Sequence, residues 1–417
     1  MTPYRVLHIT YGGFGSPFAS QTLGLVKALE SAGVPTGVLV FARPEEAAQV
    51  GDAYAGEAAR LSGSLTVLPR PPLVGKVNLS LARRQSAALI RNAAAGGHDV
   101  ILHCRGQHGA YLGLLLRDAY PELSLRVIAD FRGNEAEELR AQLGEWIRPK
   151  AGKRLVFTAL TKWRVGLAQW AEAEVVRKAD GFSFVSGAFR REVELHYRTT
   201  LVPSVVVPTC TSFSLVPENA RQALKREAKA KLGLSARYIV IYNGTFIPLQ
   251  EPTGIVRAFQ SCKEVRPEAH LLVLTTSPAE ARSFLRQAGV SAVDWTVVSV
   301  PHAEVQKYLL AGDVGLLLRR PSPINSVASP MKFAEYVACG VPVLASPGIG
   351  DLDGMISTYG VGRVLAAPEE AGRALRSLAF NYDGARRLLR AHYSWAGAVK
   401  KLQWLYERVL AQYARTG

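Results

Sequence analysis

The sequence is short of acidic residues. Of its 417 residues, 34 are Asp or Glu against 50 Lys or Arg, a formal charge of +16 and a pI near 9.8. The deficit predicts an acidic partner: nucleic acid, an anionic membrane surface or a phosphorylated substrate. Cysteine is scarce as well. Cys104, Cys210, Cys262 and Cys339 are far apart and none forms a Cys-x-x-Cys pair, which argues against a disulfide framework or zinc site and for reduced, cytosolic thiols. No run reaches the roughly 18 uninterrupted apolar residues of a spanning helix, and the N-terminus, MTPYRVLHITYGGFGS, lacks the long apolar core of a signal peptide. The expected location is the cytoplasm, free or peripheral on the inner face of the plasma membrane. No zinc-finger spacing, RNP-like aromatic signature or helix-turn-helix is present, so nucleic acid is not an expected partner. There is no tandem repeat and no low-complexity tract.

What is present is an ordinary globular composition, 48% hydrophobic and 20% charged, over a length that predicts two or three domains. Residues 5–10 form a short β-branched run, followed by the glycine-rich Tyr11-Gly12-Gly13-Phe14-Gly15-Ser16 and a helical pattern over 19–32. Further strand runs lie at 36–41, 65–68, 100–103, 124–129, 181–185 and 205–207, with helical patterns between most of them. A second series follows at 238–242, 270–274, 295–300, 314–317, 341–345 and 362–365. Alternating strands and helices predict parallel sheets covered on both faces. The expected class is therefore α/β, with two doubly wound Rossmann-like domains, 1–207 and 208–392, around a cleft. A closing helix over 393–417 buries Val399, Leu402, Leu405, Val409 and Leu410.

The most informative segment is 321–346, PSPINSVASPMKFAEYVACGVPVLAS. Ser329 reads as a helix N-cap, Pro330 as the first helical residue, Lys332 to Cys339 as the helix and Gly340 as its end. A helix N-terminus after a strand's carboxyl end is an anion site, and Glu335, one turn beyond Met331, can hold a sugar hydroxyl pair. An ordinary capped helix with a surface glutamate fits the same residues.

SPMKFAEYVACGVPVLAS resembles the donor-binding segment of the family 4 glycosyltransferases, whose fold is GT-B. The resemblance implies a retaining transfer of sugar from a nucleotide-sugar donor to a hydroxyl acceptor, saccharide or lipid-linked, in cell-envelope or exopolysaccharide assembly. It implies that Ser329, Pro330, Met331 and Lys332 face the diphosphate and that Glu335 holds the ribose. It makes 208–392 the donor domain, 1–207 the acceptor domain, and the segment headed by Trp395 a helix crossing back onto the first domain. Residues 239–245, IVIYNGT, are similar to the family's first donor-domain strand and turn, placing Gly244 and Thr245 beside the phosphates. Gly12, Gly13 and Phe14 are similar to the acceptor loop, with Gly15 near the donor phosphate.

Two departures stand out. The earlier of the family's two glutamates is Val327 here, leaving sugar recognition to Asn325 or Ser326. The usual basic pair after the glycine turn is replaced by FIPLQEP, so Arg319 and Arg320 are the expected phosphate cations, their planar forks suiting phosphate oxygens. At least one of the two is expected to be only a solvated charge.

In the first domain, His103, Arg105, His108, Asp130 and Arg132 sit at strand carboxyl ends. Asp130, Arg132 and His103 are the catalytic candidates, and Arg105 and His108 the acceptor contacts. A buried Asp130–Arg132 ion pair is an equal alternative, and for His108 a structural role comes first. Glu135, Glu137 and Glu138 read as a helix start complementing the helix dipole. Asp351-Leu352-Asp353 reads as a helix cap, so neither a metal nor another cofactor is expected. Between Glu145 and Glu172, six cations and four aromatic residues occur without an acidic residue, predicting an anionic membrane contact through 146–171. A sugar-nucleotide epimerase on the same architecture and a non-catalytic nucleotide-sugar-binding protein remain the alternatives.

Overall fold

Every strand pairing among the described residues is parallel, and each of the thirteen predicted runs overlaps a strand. The computed structural model describes residues 4–12, 18–43, 46, 65–69, 76–141 and 154–413. These fall into two compact units, Met1–Pro208 with Trp395–Gly417, and Thr209–Ser394.

The first unit holds a seven-stranded sheet. Its strands are β1 (Tyr4–Tyr11), β2 (Thr36–Ala42), β3 (Leu65–Pro69), β4 (Asp99–Arg105), β5 (Leu125–Phe131), β6 (Gly181–Phe184) and β7 (Ser204–Val206), in the order β3-β2-β1-β4-β5-β6-β7. Helices cover the sheet, so its central strands are buried almost throughout, as both-face coverage requires. The helix Trp395–Tyr413 belongs to this unit. It buries Val399, Leu402, Leu405 and Val409 as expected, leaves the expected Leu410 half-buried, and also buries Ala398 and Tyr406. Trp395 lies against Gly24, where a Cβ would meet the indole ring at 2.5 Å.

The second unit has six strands, β8 (Tyr238–Asn243), β9 (Ala269–Leu274), β10 (Trp295–Val298), β11 (Val314–Leu317), β12 (Val343–Ala345) and β13 (Gly362–Val364), in the order β10-β9-β8-β11-β12-β13. Successive side chains along a strand point to opposite faces. Ile239 and Ile241 accordingly join one core with Phe333, Tyr336 and Val337, while Val240 and Tyr242 join the other with Ile255, Phe259 and Leu316. Each fully buried Leu, Ile or Phe of this kind contributes roughly 1.5–3 kcal/mol. Gly315 admits the Tyr336 ring, which a Cβ would meet at 2.9 Å.

The helix predicted to start at Pro330 spans Met331–Ala338, with Pro330 extended at the N-cap and no side-chain cap. The correction has a local cause. Ser329 Oγ accepts from the Thr209 amide at 3.2 Å and is turned away from the helix. The other end follows the predicted signal. Gly340 has φ +65°, its amide reaches Val337 O at 3.0 Å, and the Val341 amide reaches Tyr336 O at 3.0 Å, closing the helix in a Schellman motif.

Candidate functional site

In both sheets the strand order reverses beside the first strand, between β8 and β11 in unit 2 and between β1 and β4 in unit 1. The crevice outside the carboxyl ends of strands at such a reversal is where doubly wound sheets bind ligands.

In unit 2 that point gathers Asn243, Gly244 and Thr245 after β8, Arg319 just beyond β11, and the first turn of the helix Met331–Ala338. Lys332 Nζ donates to Gln250 Oε1 at 2.8 Å and stands 4.7 Å from the centre of the Tyr242 ring. A Cβ on Gly244 would meet that ammonium at 2.6 Å, so glycine lets the turn close on the lysine. Burial, then the Arg319 charge, hold the Lys332 pKa well below its ordinary value, with Glu335 opposing. Arg319 Nη1 donates to Asn325 Oδ1 at 2.7 Å, and its buried Nε has no hydrogen-bond partner among the described residues. Arg320, by contrast, is exposed. Glu335 is 2% exposed rather than a surface residue. It accepts from Asn243 Nδ2 at 3.0 Å. Burial pushes its carboxyl up to about 7, against the Lys332 charge and the Asn243 bond.

The cradle thus holds two desolvated cations and one desolvated carboxylate beside a helix end that no side chain caps. The helix dipole and the guanidinium suit an anion, while the carboxylate suits hydroxyl donors. The two residues expected to replace the first glutamate are turned elsewhere. Asn325 is 1% exposed; it donates to Leu249 O at 3.1 Å and Arg320 O at 2.8 Å and accepts from Arg319, which makes it a clamp for the loop. Ser326 Oγ donates back to Pro323 O at 3.0 Å. Val327 itself is core, 1% exposed. Pro330 is buried and Met331 half-buried in the same turn.

In unit 1, β4 and β5 bring His103, Arg105, Asp130 and Arg132 together around a cavity shared with Gln21, Ser183 and Trp395. Asp130 Oδ1 lies 3.6 Å from Arg132 Nη1 and Asp130 Oδ2 lies 3.7 Å from His103 Nε2. Arg132 also donates to Val207 O at 2.8 Å. Although burial opposes ionisation, Arg132 and His103 hold the Asp130 carboxyl below its usual range. His103, 1% exposed, is interior. Its Nδ1 meets Tyr406 Oη at 2.7 Å and its ring stacks on His8 at 5.1 Å, so it positions Asp130 from behind. Burial, then the neighbouring His103, keep His8 well below its ordinary pKa. His108 is paired with Glu135, and stacks on Tyr11 at 6.0 Å. Glu135 also accepts from the His108 amide, while Asn134 receives the Glu137 amide at 3.1 Å. Gly12 ends β1 with its amide on Phe41 O at 2.8 Å. Gly13, Phe14 and Gly15 lie outside the described residues.

All four cysteines are buried thiols outside any disulfide. Among the described residues no three His, Cys, Asp or Glu are grouped to hold a metal ion, and no helix is long and apolar enough to cross a membrane. Asp353 receives the Gly348 amide at 3.0 Å. Of the 146–171 stretch, Trp146, Arg148, Lys150 and Lys153 lie outside the described residues. The helix Arg154–Lys178 leaves Leu160, Trp163 and Trp170 about half exposed, at 50%, 49% and 49%, beside exposed Lys162 and Arg164.

No protein-family model and no curated protein matches the chain. Solved structures do. The UDP complex of HepE from Anabaena is similar over 97% of this chain and 99% of that one, with a TM-score of 0.66 at 11% identity. The fold is GT-B. A glycosyltransferase from Rickettsia africae is similar over 98% and 99%, with a TM-score of 0.66 at 12% identity. WaaG, a glycosyltransferase involved in lipopolysaccharide biosynthesis, is similar over 96% and 99%, with a TM-score of 0.59 at 14% identity. HepE has also been solved with UDP-glucose.

Sequence reasoning missed Asn243, Gln250 and Tyr242 in unit 2, and His8 and Tyr406 in unit 1. Two carried a signal. His8 interrupts an apolar strand, and Asn243 is the polar residue at a strand's carboxyl end. Gln250 and Tyr406 carried none, since their partners Lys332 and His103 lie 82 and 303 residues away.

Proposed function

We propose that the chain is a metal-independent glycosyltransferase of the family 4 type that takes sugar from a nucleotide donor with retention of configuration. The observation that carries the reading is the cradle at the unit 2 reversal: Lys332 against the Gly244 turn, the desolvated Arg319 just beyond β11, and a buried Glu335 on the helix that carries Lys332. In this reading Lys332, Arg319 and the uncapped helix end receive the diphosphate, and Glu335 accepts from the ribose hydroxyls. The leaving diphosphate's charge falls on the same groups, which are fixed in place before reaction, as electrostatic catalysis requires. The donor phosphate takes the acceptor's proton on the face of departure, so no protein base is assigned. The glycosyltransferase fold of the similar structures and the UDP and UDP-glucose bound by HepE support the reading.

The acceptor in this account is a saccharide or lipid-linked hydroxyl of cell-envelope assembly, met at an anionic membrane face. Leu160, Trp163 and Trp170 with Lys162 and Arg164 supply the apolar and basic groups such a surface takes, at roughly 1 kcal/mol per cation. The test of function is a thermal-shift screen against UDP-, GDP-, ADP- and dTDP-sugars, followed by product analysis with and without acceptor. Stabilisation by one nucleotide class and acceptor-dependent transfer are expected. Epimerised donor in the absence of acceptor makes the chain an epimerase, and binding without turnover makes it a non-catalytic receptor.

A further inference from the structure

Arg105 ends β4 at the point where the unit 1 sheet reverses its strand order. It lines the cavity with Arg132, Asp130, His103, Gln21 and Ser183. Its guanidinium makes no hydrogen bond and no ion pair among the described residues. Burial, then the Arg132 charge, lower its pKa to about 10, with Asp130 opposing. Asp130 is the carboxylate of the cavity, and it is shared between Arg132 at 3.6 Å and His103 at 3.7 Å. His8 behind it is held neutral by burial. Two guanidiniums therefore face one carboxylate, and a desolvated charge without a partner is costly to a fold. Beyond those ion pairs, His103 Nε2 and Asp130 Oδ1 are buried without hydrogen-bond partners among the described residues, in residues 1% and 3% exposed. The space these groups line is about 10 Å³, room for about one water molecule or one ligand oxygen.

We propose that this pocket binds an oxyanion, a phosphate or carboxylate carried by the sugar acceptor, with Arg105 as its principal ligand. One oxygen of the oxyanion occupies this space and accepts from the Arg105 guanidinium in a charge-assisted hydrogen bond. The pocket stands on unit 1 alone; that its occupant is the acceptor rests on the glycosyltransferase reading.

The test is titration calorimetry of the full chain, saturated with UDP to fill the unit 2 site, with glucose 6-phosphate, glucuronate and glucose. At least one charged sugar is expected to bind about tenfold or more tightly than glucose. Arg105→Gln removes that advantage and Arg105→Lys keeps part of it. A phosphate preference and a carboxylate preference both support the pocket and separate its two possible ligands. Because Arg105 is unpaired in the fold, Arg105→Gln is expected to melt no lower than the parent. Equal binding of all three sugars, binding of none, a charged-sugar preference that survives Arg105→Gln, or a melting temperature more than about 5 °C lower each overturns the proposal. Failure of UDP itself to bind counts against the donor reading and leaves the sugar titration interpretable.

Discussion

Replacing Glu335 by Gln is expected to stabilise the unliganded chain at pH 8 and leave it unchanged at pH 4. The carboxyl is 2% exposed, and burial raises it from 4.5 to about 7. Below pH 4.5 the folded and unfolded chains both hold the proton, and ionisation makes no difference. Between 4.5 and about 7 the folded chain holds it and the unfolded chain has released it, so stability falls as pH rises. Above about 7 both are ionised, and the accumulated cost is constant at about 3 kcal/mol. Glutamine keeps the shape and the Asn243 contact without a charge to desolvate. For a unit of this size the gain corresponds to a rise in melting temperature of roughly 5–10 °C. The assay is thermal unfolding of parent and variant across pH 4 to 9, scored as the difference at each pH. That difference also removes Glu138, which burial and Glu135 push up to about 7 in the other unit. A difference that does not change with pH, or a variant less stable at pH 8, refutes the assignment of a desolvated carboxylate.

Other outcomes follow from the same geometry. Because hydroxyl donors favour the ionised carboxylate, Glu335 is expected to tighten UDP binding as pH rises from 5.5 to 8, by at most about tenfold per pH unit below 7; the Glu335→Gln variant should show a shallower rise by calorimetry. Lys332→Met removes a charge-assisted contact and is expected to weaken UDP by about tenfold to a hundredfold while raising the melting temperature, because the ammonium is desolvated without the ligand. Gly244→Ala places a methyl group 2.6 Å from that ammonium and should weaken UDP with circular dichroism unchanged. Tyr406→Phe takes away the 2.7 Å partner of His103 and is expected to cost unit 1 about 1–3 kcal/mol in denaturant unfolding. Vesicles containing anionic lipid should sediment the parent chain more than neutral ones do, and Trp163→Ser with Trp170→Ser should reduce that difference.

The strands were legible because a sheet covered on both faces demands continuous apolar runs such as YIVIY and HLLVL, each bounded by turn residues. The end of the 331–338 helix was legible too, since only a residue comfortable at φ +65° fits the position of Gly340. Its start was misread by one residue because the Ser329 hydroxyl had a better partner in the Thr209 amide, 120 positions away. The same limit governs the site. Lys332 and Glu335 are recognisable from their helix, but that both are desolvated depends on Tyr242, Asn243 and Gln250 closing over them from another strand and loop. Asn325 looked like a polar ligand in a loop and proved to be its clamp, because three bonds through space had already taken its amide. Of the positive charge, Lys332, Arg319 and Arg105 are placed in cradles, whereas Arg320, Lys162 and Arg164 are exposed.

The central claim is that unit 2 binds a nucleoside diphosphate through Lys332 and Glu335. Titration calorimetry of UDP, GDP, ADP and dTDP against the parent chain, Lys332→Ala and Glu335→Ala tests it directly. One diphosphate is expected to bind the parent and to lose at least about tenfold in affinity with each variant. Unchanged affinity in both variants, or no binding of any of the four, contradicts it.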